Sequence, residues 1–477
     1  MKTTTIGRMA LTILYFFSMI AASGQSLLNV RDFGATGDGT TDDTRAINAA
    51  LKTAASKKKD LYFPSGTYLC NTISDAQNHI LLLRADGLKG IKLYGDGINT
   101  RITTSLNEGT CLLYIISYEA CDGLTIKDIF FENTHGVIPG ATQALFLYGT
   151  SNQTITNATV SGCRFEGFCN AVEGQGVKGW TIDQNTFNSP KGHDNAKNDT
   201  DPAVYVWFFD NSNGYCTDIH ITNNVADGYS GTAPISSLVT KRAMDGFVYG
   251  TGYGFTITGN TTRNFSEEHY LLGPRATFLK DTSQTLISGN HIDGTIPSGS
   301  MDENGSKQHL INYGIRCDIS NAVITGNDIR NYTYGIMIRG VDYPKYDIRS
   351  YQITGNKLYA ATDTVNYSVQ TGISIEGNIG NRIKDVQVTG NEIHIDQLRG
   401  GSVNAGILFF DVEKGLIQNN TVQTTSTSKN VQISALAYRR VGKVQEMTNQ
   451  VVGMKFRTIL SPTDTVQIIS DQSLKKN

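Results

Sequence analysis

One short pattern of apolar and small polar residues recurs from the middle of the chain towards its C-terminus. It runs apolar, small, Gly or Asn, Asn, any residue, apolar, and it reads ITGNTT at Ile257, ITGNDI at Ile324 and VTGNEI at Val388. A fixed phrase at a variable step predicts a coiled solenoid, because each coil keeps its strands while its loops differ in length. Steps of 29 to 37 residues separate the central asparagines, which are Asn224, Asn260, Asn290, Asn327, Asn356, Asn391 and Asn420.

A second pattern, Gly, apolar, any residue, apolar, precedes the phrase in the later coils and predicts a short strand. Side chains alternate across a strand, so Ile315, Ile336, Ile373 and Ile407 are predicted to face inward. Equivalent outward residues on adjacent coils then stand about 4.8 Å apart and line one outer face. They are Arg316, Asp318, Met337, Arg339, Ser374, Glu376, Leu408 and Phe410.

The same alternation, carried upstream, predicts an aromatic end to this outer face. Residues 275–281 allow either orientation, because loop insertions blur the register there. After residue 430 the phrase disappears, so we expect coils over about 61–430 and an irregular C-terminal cap over about 431–477. The upstream residues predicted to face outward are Phe146, Tyr148, Glu173, Tyr205, Trp207 and Phe209.

The N-terminal region predicts a cap over 28–60. Glycines at 34, 37 and 39 allow a tight turn, and Thr41 or Asp42 can cap the helix that follows. An amphipathic helix can cover the open end of a solenoid core. The apolar face of this helix is formed by Ile47, Ala50, Leu51 and Ala54.

This N-terminal region also carries a family resemblance. The segment VRDFGATGDGTTDDTRAINAA, then LYFPSGTY at 61–68 and LYGDG at 93–97, is similar to the N-terminal region of the pectate lyase superfamily. The resemblance implies an all-β fold, a single-stranded right-handed parallel β-helix with three strands per coil. It leaves the chemistry open, since that superfamily includes polygalacturonases, rhamnogalacturonases, alginate epimerases and phage tailspikes.

The motifs of the best-marked subfamilies are missing from the sequence. The Asp-Asp pair occurs only at Asp42-Asp43 in the cap, and His193 stands in Gly-His-Asp where polygalacturonases have Gly-His-Gly. Arg-Ile-Lys occurs at 382–384 but falls in a turn, and the Asp-Pro-His of alginate epimerases is absent. Both subfamilies are therefore disfavoured.

Residues 1–24 predict a secretory signal peptide. Lys2 and Arg8 precede an apolar run at 9–21 that is too short to span a membrane. Ala22-Ser23-Gly24, directly after the run, resembles a cleavage site. A secreted or periplasmic protein is expected. The seven cysteines lack metal-site spacing, so most should be buried. A net charge of −2 favours neither nucleic acid nor membrane as a partner. A charged outer face that begins with aromatic residues suits a polysaccharide, which is the expected partner, and the oligomeric state is left open.

Two mechanisms fit the charged groups on the outer face. β-Elimination of a uronate-containing polymer needs a base and a cation that neutralises the substrate carboxylate. Lys280, Arg316 and Arg339 are candidates for these roles together with Arg275, and His269 or Tyr249 is a candidate proton carrier. Calcium is a candidate cofactor, because carboxylate oxygens suit it.

Hydrolysis instead needs two carboxyl groups, about 5 Å apart for retention or about 6.5–9.5 Å for inversion. Asp281 and Asp318 each lie nine residues before a motif asparagine, so they are predicted to sit one coil apart. Glu173 and Asp210 are a second possible pair.

The cationic run and the missing polygalacturonase motifs favour elimination over hydrolysis, with epimerisation or polysaccharide binding without catalysis as further alternatives. The residues predicted to contact the substrate are Tyr205, Trp207, Tyr249, Arg275 and Glu376.

Overall fold

The computed structural model describes residues 27–75, 80–106, 109–118, 121–135, 138–139, 142–150, 153–194, 203–209, 216–235, 242–273, 283–297, 300, 312–340, 347–360, 370–378, 380–395, 404–424, 433–460 and 466–470. The predicted signal peptide lies outside these residues, and so do Asp210, Arg275, Lys280 and Asp281. What the sequence predicts for them therefore stays a prediction.

The chain winds into coils of three strands. The strand Tyr313–Cys317 pairs in parallel with Tyr334–Arg339 on the next coil. The next two strands, Ala322–Thr325 and Asp328–Tyr332, pair in parallel with their own equivalents one coil on. The predicted right-handed parallel β-helix is confirmed, with the right-handed crossovers that parallel strands favour.

One strand of each coil joins a continuous sheet on the predicted outer face, which we call the groove sheet. The first half of the long strand Gly246–Thr258 belongs to it. Its thirteen described strands are Ile80–Asp86, Thr110–Ser117, Gln143–Gly149, Asn170–Gln175, Val204–Phe209, Gly246–Thr258, Glu268–Gly273, Tyr313–Cys317, Tyr334–Arg339, Thr371–Glu376, Asn404–Phe410, Ile433–Arg439 and Lys455–Ile459.

The two remaining strands of each coil form the other walls. The second strands are Lys92–Thr104, Cys121–Asp122, Thr125–Asn133, Ile155–Thr156, Thr159–Ser161, Val177–Asp183, Cys216–Thr222, the second half of Gly246–Thr258, Thr285–Ser288, Ala322–Thr325, Arg349–Thr354, Lys384–Thr389, Lys414–Gln418, Lys443–Met447 and Gln467–Ser470. The third strands are Arg164–Glu166, Thr186–Asn188, Val225–Asp227, Thr261–Arg263, His291–Asp293, Asp328–Tyr332, Lys357–Ala360, Glu392–His394, Thr421–Gln423 and Gln450–Val452. Ile138–Pro139 and His193–Asp194 form a separate parallel pair.

The predicted N-terminal helix spans Thr44–Lys57 and buries Ile47, Ala50, Leu51 and Ala54 against the core. Asp43 is its N-cap residue, and the Asp42 carboxylate accepts a hydrogen bond from the N–H of Thr44. The N-terminal strands are Leu28–Asn29, Asp38–Asp42, Leu61–Tyr62 and Gly66–Leu69, with a 3₁₀ helix at Val30–Phe33.

A ladder of buried asparagines runs along one corner of the solenoid. Each Oδ1 accepts hydrogen bonds from the backbone N–H and the Nδ2 of the asparagine one coil before, as Asn327 does from Asn290 at 3.0 and 2.9 Å. The left-handed backbone belongs to the residue before each asparagine, for example Gly326 with φ 64°, and not to the asparagine itself. The ladder is longer than the sequence phrase, for it starts at Asn185 and ends at Asn449.

Regular coils continue past residue 430, so the predicted irregular C-terminal cap is wrong over the described part of that region. The strands Ile433–Arg439 and Lys443–Met447 pair with the preceding coil, and Gln467–Ser470 pairs with Lys443–Met447. Near this end Glu446 fills an inner position, where it accepts hydrogen bonds from Tyr438 and Arg457.

All seven cysteines are buried, as expected for small apolar residues. Among the described residues, no helix has both the length and the apolar character needed to cross a membrane.

Candidate functional site

The register of the groove sheet defines one outward row of side chains. Ile315, Ile336, Ile373 and Ile407 are buried as predicted, and the residue after each lies on the opposite side of its strand. Of these, Arg316 and Leu408 are half-buried, whereas Met337 and Ser374 are buried and not exposed as expected. In strand order the row reads Arg84, Tyr114, Phe146, Glu173, Trp207, Tyr249, Leu271, Arg316, Met337, Ser374 and Leu408.

Glu268 is the first residue of the seventh groove strand and lies at the centre of this face. The Tyr249 hydroxyl donates a hydrogen bond to Glu268 Oε2 at 2.7 Å. Arg316 Nη1 approaches Glu268 Oε1 at 3.8 Å from the eighth strand. The side chains of Glu268 and Arg316 are 11% and 13% exposed, so this contact is largely shielded from water.

The same guanidinium holds a second carboxylate. Arg316 Nε donates to Asp318 Oδ2 at 3.0 Å, and the backbone N–H of Arg339 donates to Asp318 Oδ1 at 2.7 Å. Arg316 therefore contacts two carboxyl groups, one through Nη1 and one through Nε, and brings both acids to the same part of the face.

The environments of these two acids differ. Burial raises the pKa of Glu268 above its usual 4.5, against the opposing effects of the Tyr249 hydrogen bond and the charge of Arg316. Asp318 is fully buried and accepts hydrogen bonds from an arginine side chain and from a backbone N–H. Burial, with the nearby Glu268 carboxylate, also holds the pKa of Tyr249 well above 10, so this phenol keeps its proton.

A second buried ion pair adjoins the central site. Arg242 Nη2 lies 3.0 Å from Asp245 Oδ1 and 3.3 Å from Glu267 Oε1. The Asp245 carboxylate also accepts from the backbone N–H of Ala203. Its negative charge adds to the raised pKa of Glu268.

Aromatic residues lie on both sides of Glu268. On the N-terminal side the rings of Trp207 and Phe209 are 4.8 Å apart and half-buried. On the C-terminal side Tyr313 and Tyr334 stack at 5.1 Å with an interplanar angle of 14°. The register places Tyr313 directly beside Glu268.

Sequence reasoning assigned no catalytic or binding role to Glu268, Tyr313 or Tyr334. A signal for the tyrosines was present, since each precedes the Gly-Ile of a groove strand and so occupies the same position in successive coils. Glu268 carried no such signal, because its partners Arg316 and Asp318 follow a loop of variable length.

The predicted outward placement of Tyr205 is wrong. Its side chain is 1% exposed and belongs to the main core, where it extends an interior stack of Phe131, Phe165 and Phe187. The strand begins at Val204, directly after a corner of the coil, and alternation is not yet established there. Trp207 does face outward as predicted.

The predicted proton-carrier role of His269 is also wrong, because its ring lies inside the solenoid. It is fully buried, and its Nδ1 is 2.8 Å from Thr262 Oγ1. It occupies the row of Phe247 and Gly314, the inner corner of the coil. In the later, narrower coils this row holds glycine: a Cβ on Gly314 would come within 2.5 Å of Ile329.

We expect acid to destabilise the fold through His269. Burial lowers its pKa from 6.5 to about 3, against a weaker opposing effect of Asp293, so the unfolded chain takes up a proton first. The contribution of neutral His269 to the unfolding free energy is fully present above pH 6.5 and is lost as the pH falls towards 3. Between pH 6.5 and 5 the unfolding free energy should fall by about 2 kcal/mol. Urea unfolding at pH 7 and pH 5 measures this loss. Over this change of pH, a His269→Gln variant should lose about 2 kcal/mol less unfolding free energy than the wild type. An equal loss in both proteins would contradict the buried, neutral state of His269.

The other predicted site residues are spread along the groove sheet. Glu173 faces outward between Phe146 and Trp207, three strands before Glu268, and does not join the central pair. Glu376 lies opposite Arg339 on the neighbouring strand and accepts a hydrogen bond from Ser374 at 2.7 Å. Within the described ranges, no group of three or more His, Cys, Asp or Glu residues is arranged to hold a metal ion.

A family model described as "Rhamnogalacturonase A/epimerase, pectate lyase-like" matches residues 27–294, more than half of the chain. Mannuronan C5-epimerase AlgE5 of Azotobacter vinelandii is 24% identical over 297 residues, 61% of this chain and 24% of that protein. A glucan 1,3-beta-glucosidase of Cochliobolus carbonum is 54% identical over 52 residues, 11% of this chain and 7% of that protein. The matches thus span only a minor part of either relative.

Two solved structures share the fold. The A-module of Azotobacter vinelandii mannuronan C-5 epimerase AlgE4 superposes with a TM-score of 0.52 at 16% identity, over 92% of this chain and 99% of that one. A mutant tailspike protein of E. coli bacteriophage HK620, in complex with a pentasaccharide, superposes with a TM-score of 0.58 at 11% identity. The superposition covers 89% of this chain and 78% of the tailspike chain. At these identities the likeness concerns the fold alone.

Proposed function

Because this chain belongs to the rhamnogalacturonase A/epimerase, pectate lyase-like family, we propose that it is a carbohydrate-active enzyme that hydrolyses glycosidic bonds in a polysaccharide. The observation that carries the proposal is the Glu268–Arg316–Asp318 arrangement, in which one guanidinium joins two carboxyl groups in different environments. Glycoside hydrolysis uses such a pair, one acid protonated and the other ionised.

Glu268 is the proposed general acid. Burial raises its pKa and so favours the protonated form that a general acid needs, and the proton passes to the glycosidic oxygen as the bond to the anomeric carbon breaks. Tyr249 positions the Glu268 carboxyl group through their hydrogen bond. Arg316 limits the negative charge that builds up on Glu268 as it loses its proton.

Asp318 is the proposed second carboxylate. In an inverting reaction it takes a proton from the attacking water, and in a retaining reaction it attacks the anomeric carbon itself. Its hydrogen bonds from Arg316 and from the backbone of Arg339 hold this carboxyl group in place beside Arg316. Glu268 is its proposed partner, while the pairing of Asp281 with Asp318 stays a prediction because Asp281 lies outside the described residues.

β-Elimination, which the sequence favoured, is less well supported by this geometry. It needs a cation for the substrate carboxylate and a base for the neighbouring proton. Arg316 already contacts two protein carboxylates, and Tyr249 holds its proton too firmly to act as a base. Lys280 and Arg275, the other candidates, lie outside the described residues, so their roles stay predictions. A requirement for calcium likewise stays a proposal.

The substrate is proposed to be an acidic, uronate-containing polymer, and the site of action to be outside the cytoplasm. The outward position of Arg339, three residues along its strand from buried Ile336, supports the first proposal. The second rests on the apolar segment before residue 25.

Incubation with a panel of uronate-containing and neutral polysaccharides tests the reaction type. We expect new reducing ends without the ultraviolet absorbance of an unsaturated sugar, because hydrolysis adds water across the bond while elimination leaves a double bond. New reducing ends accompanied by that absorbance would replace hydrolysis by elimination. A change in polymer composition without new ends would indicate epimerisation.

A further inference from the structure

The central acids divide the groove sheet into two arms of similar length. Glu268 begins the seventh of thirteen described strands and Asp318 follows the eighth, so six strands precede the pair and five follow it. At about 4.8 Å per strand the face extends roughly 29 Å in one direction and 24 Å in the other. A polymer lying along the solenoid axis therefore has protein surface on both sides of the pair.

Each arm offers aromatic side chains next to the acids. Trp207 and Phe209 lie on the N-terminal arm, and both are half-buried on the outer face. Tyr313 and Tyr334 begin the C-terminal arm, and both are half-buried there as well. Sugar rings bind to such amphipathic side chains through their apolar faces and hydroxyl groups.

The geometry of the tyrosine pair determines what it presents to a ligand. The rings are nearly parallel and 5.1 Å apart, which matches the distance between adjacent strands. One face of each ring is thus covered by the other ring, and both side chains stay partly exposed on the outer face. Burial raises the pKa of Tyr334 to about 12 and that of Tyr313 also, so both hydroxyl groups are neutral donors. Among the described residues, neither hydroxyl has a hydrogen-bond partner.

We propose that Tyr313 and Tyr334 form a second sugar-binding platform, on the opposite side of the acid pair from Trp207. The substrate chain is then held on both arms at once, and the enzyme cuts within the polymer instead of removing sugars from its end. This inference deepens the proposed hydrolase function and rests on it for the statement about cutting. Binding to the platform does not depend on the reaction type.

The platform is tested with variants that remove only the hydroxyl groups, Tyr313→Phe and Tyr334→Phe. Each hydroxyl supplies one hydrogen bond, so KM for the polymer should rise about 2- to 12-fold per variant while kcat stays unchanged. Tyr359→Phe is the matched control, because Tyr359 is half-buried on the third strand set, away from the groove sheet. Unchanged KM in both groove variants would overturn the platform.

The mode of cutting is measured by the sizes of early products. Cutting within the chain predicts oligosaccharides of many lengths and a rapid fall in viscosity at low conversion. Mono- or disaccharides as the sole early products would overturn the inference while leaving the hydrolase intact.

Retardation in gels containing each polymer separates this inference from the reaction itself. Binding is measured in a Glu268→Gln background, in which the polymer should stay intact. Retardation that is lost in the Tyr313→Phe, Tyr334→Phe double variant supports the platform, even if no polymer is hydrolysed by the wild-type protein. Retardation that is equal with and without the two hydroxyl groups, or absent with every polymer, overturns it.

Discussion

Replacing Glu268 by glutamine is expected to lower kcat about 100- to 10,000-fold, the usual contribution of a general acid. Glutamine keeps the shape of the side chain and can still accept the Tyr249 hydrogen bond, but it has no proton to give. KM should change little, because the lost interaction is one made in the transition state. Steady-state kinetics on the polymer identified by the substrate panel measures both constants.

The pH dependence gives this prediction a second readout. The wild-type rate should fall on the alkaline side as Glu268 loses its proton, at a pH above the ordinary glutamate pKa of 4.5 because burial raises it. That alkaline limb should be missing from the residual activity of Glu268→Gln. Glu413→Gln, an exposed glutamate in a turn outside the groove sheet, is the matched control and should behave as wild type. A Glu268→Gln enzyme with more than a tenth of wild-type kcat would remove Glu268 from the mechanism.

Asp318→Asn separates two roles of the second carboxylate. Asparagine can still hydrogen-bond to Arg316 and to the backbone of Arg339, yet it can neither take a proton from water nor form a glycosyl ester. A loss of kcat as large as that of Glu268→Gln supports a direct role. Turnover close to wild type would show that Asp318 only positions Arg316.

Asn327→Ala in the middle of the asparagine ladder should cost about 3 kcal/mol or more of unfolding free energy. The change removes the acceptor for the N–H and Nδ2 of Asn290, and the donor to the carbonyl of Ile287 and to Asn356. These groups are buried, and each one left unsatisfied costs about 1–3 kcal/mol. Urea unfolding followed by circular dichroism measures the difference.

An exposed asparagine provides the comparison for the ladder. Asn99 faces solvent, and Asn99→Ala should change the unfolding free energy by less than about 0.5 kcal/mol. If Asn327→Ala were as mild, the ladder would be a consequence of the coil and not a cause of its stability. A larger effect at Asn327 than at Asn449, the last ladder residue, is expected because Asn449 has no asparagine beyond it to bond.

Short-range patterns in the sequence were enough for the fold. The ladder asparagines and the inward isoleucines recur at equivalent places in every coil, so the spacing within a coil already states which side chain faces which way. The alternation of inward and outward side chains did not hold at the corners of the coil, where Tyr205 and His269 point inward against expectation. Whether a corner residue points inward depends on the width of the coil, which in turn depends on the packing of its neighbours.

The candidate site was only partly predictable for a related reason. Arg316 and Asp318 were placed on the outer face by alternation alone. Their partner Glu268 was not, because the pairing of strands beginning at Glu268 and Tyr313 spans an insertion whose length sets no register in the sequence.

By itself, the sequence determined the solenoid and the face on which charged side chains gather, because both follow from periodicity within one coil, while the three strands per coil came from the family resemblance of the N-terminal region. The tertiary structure alone decided which carboxyl groups meet across Arg316 and how their environments differ. Burial and hydrogen bonding between residues some fifty positions apart arise only once the coils are stacked.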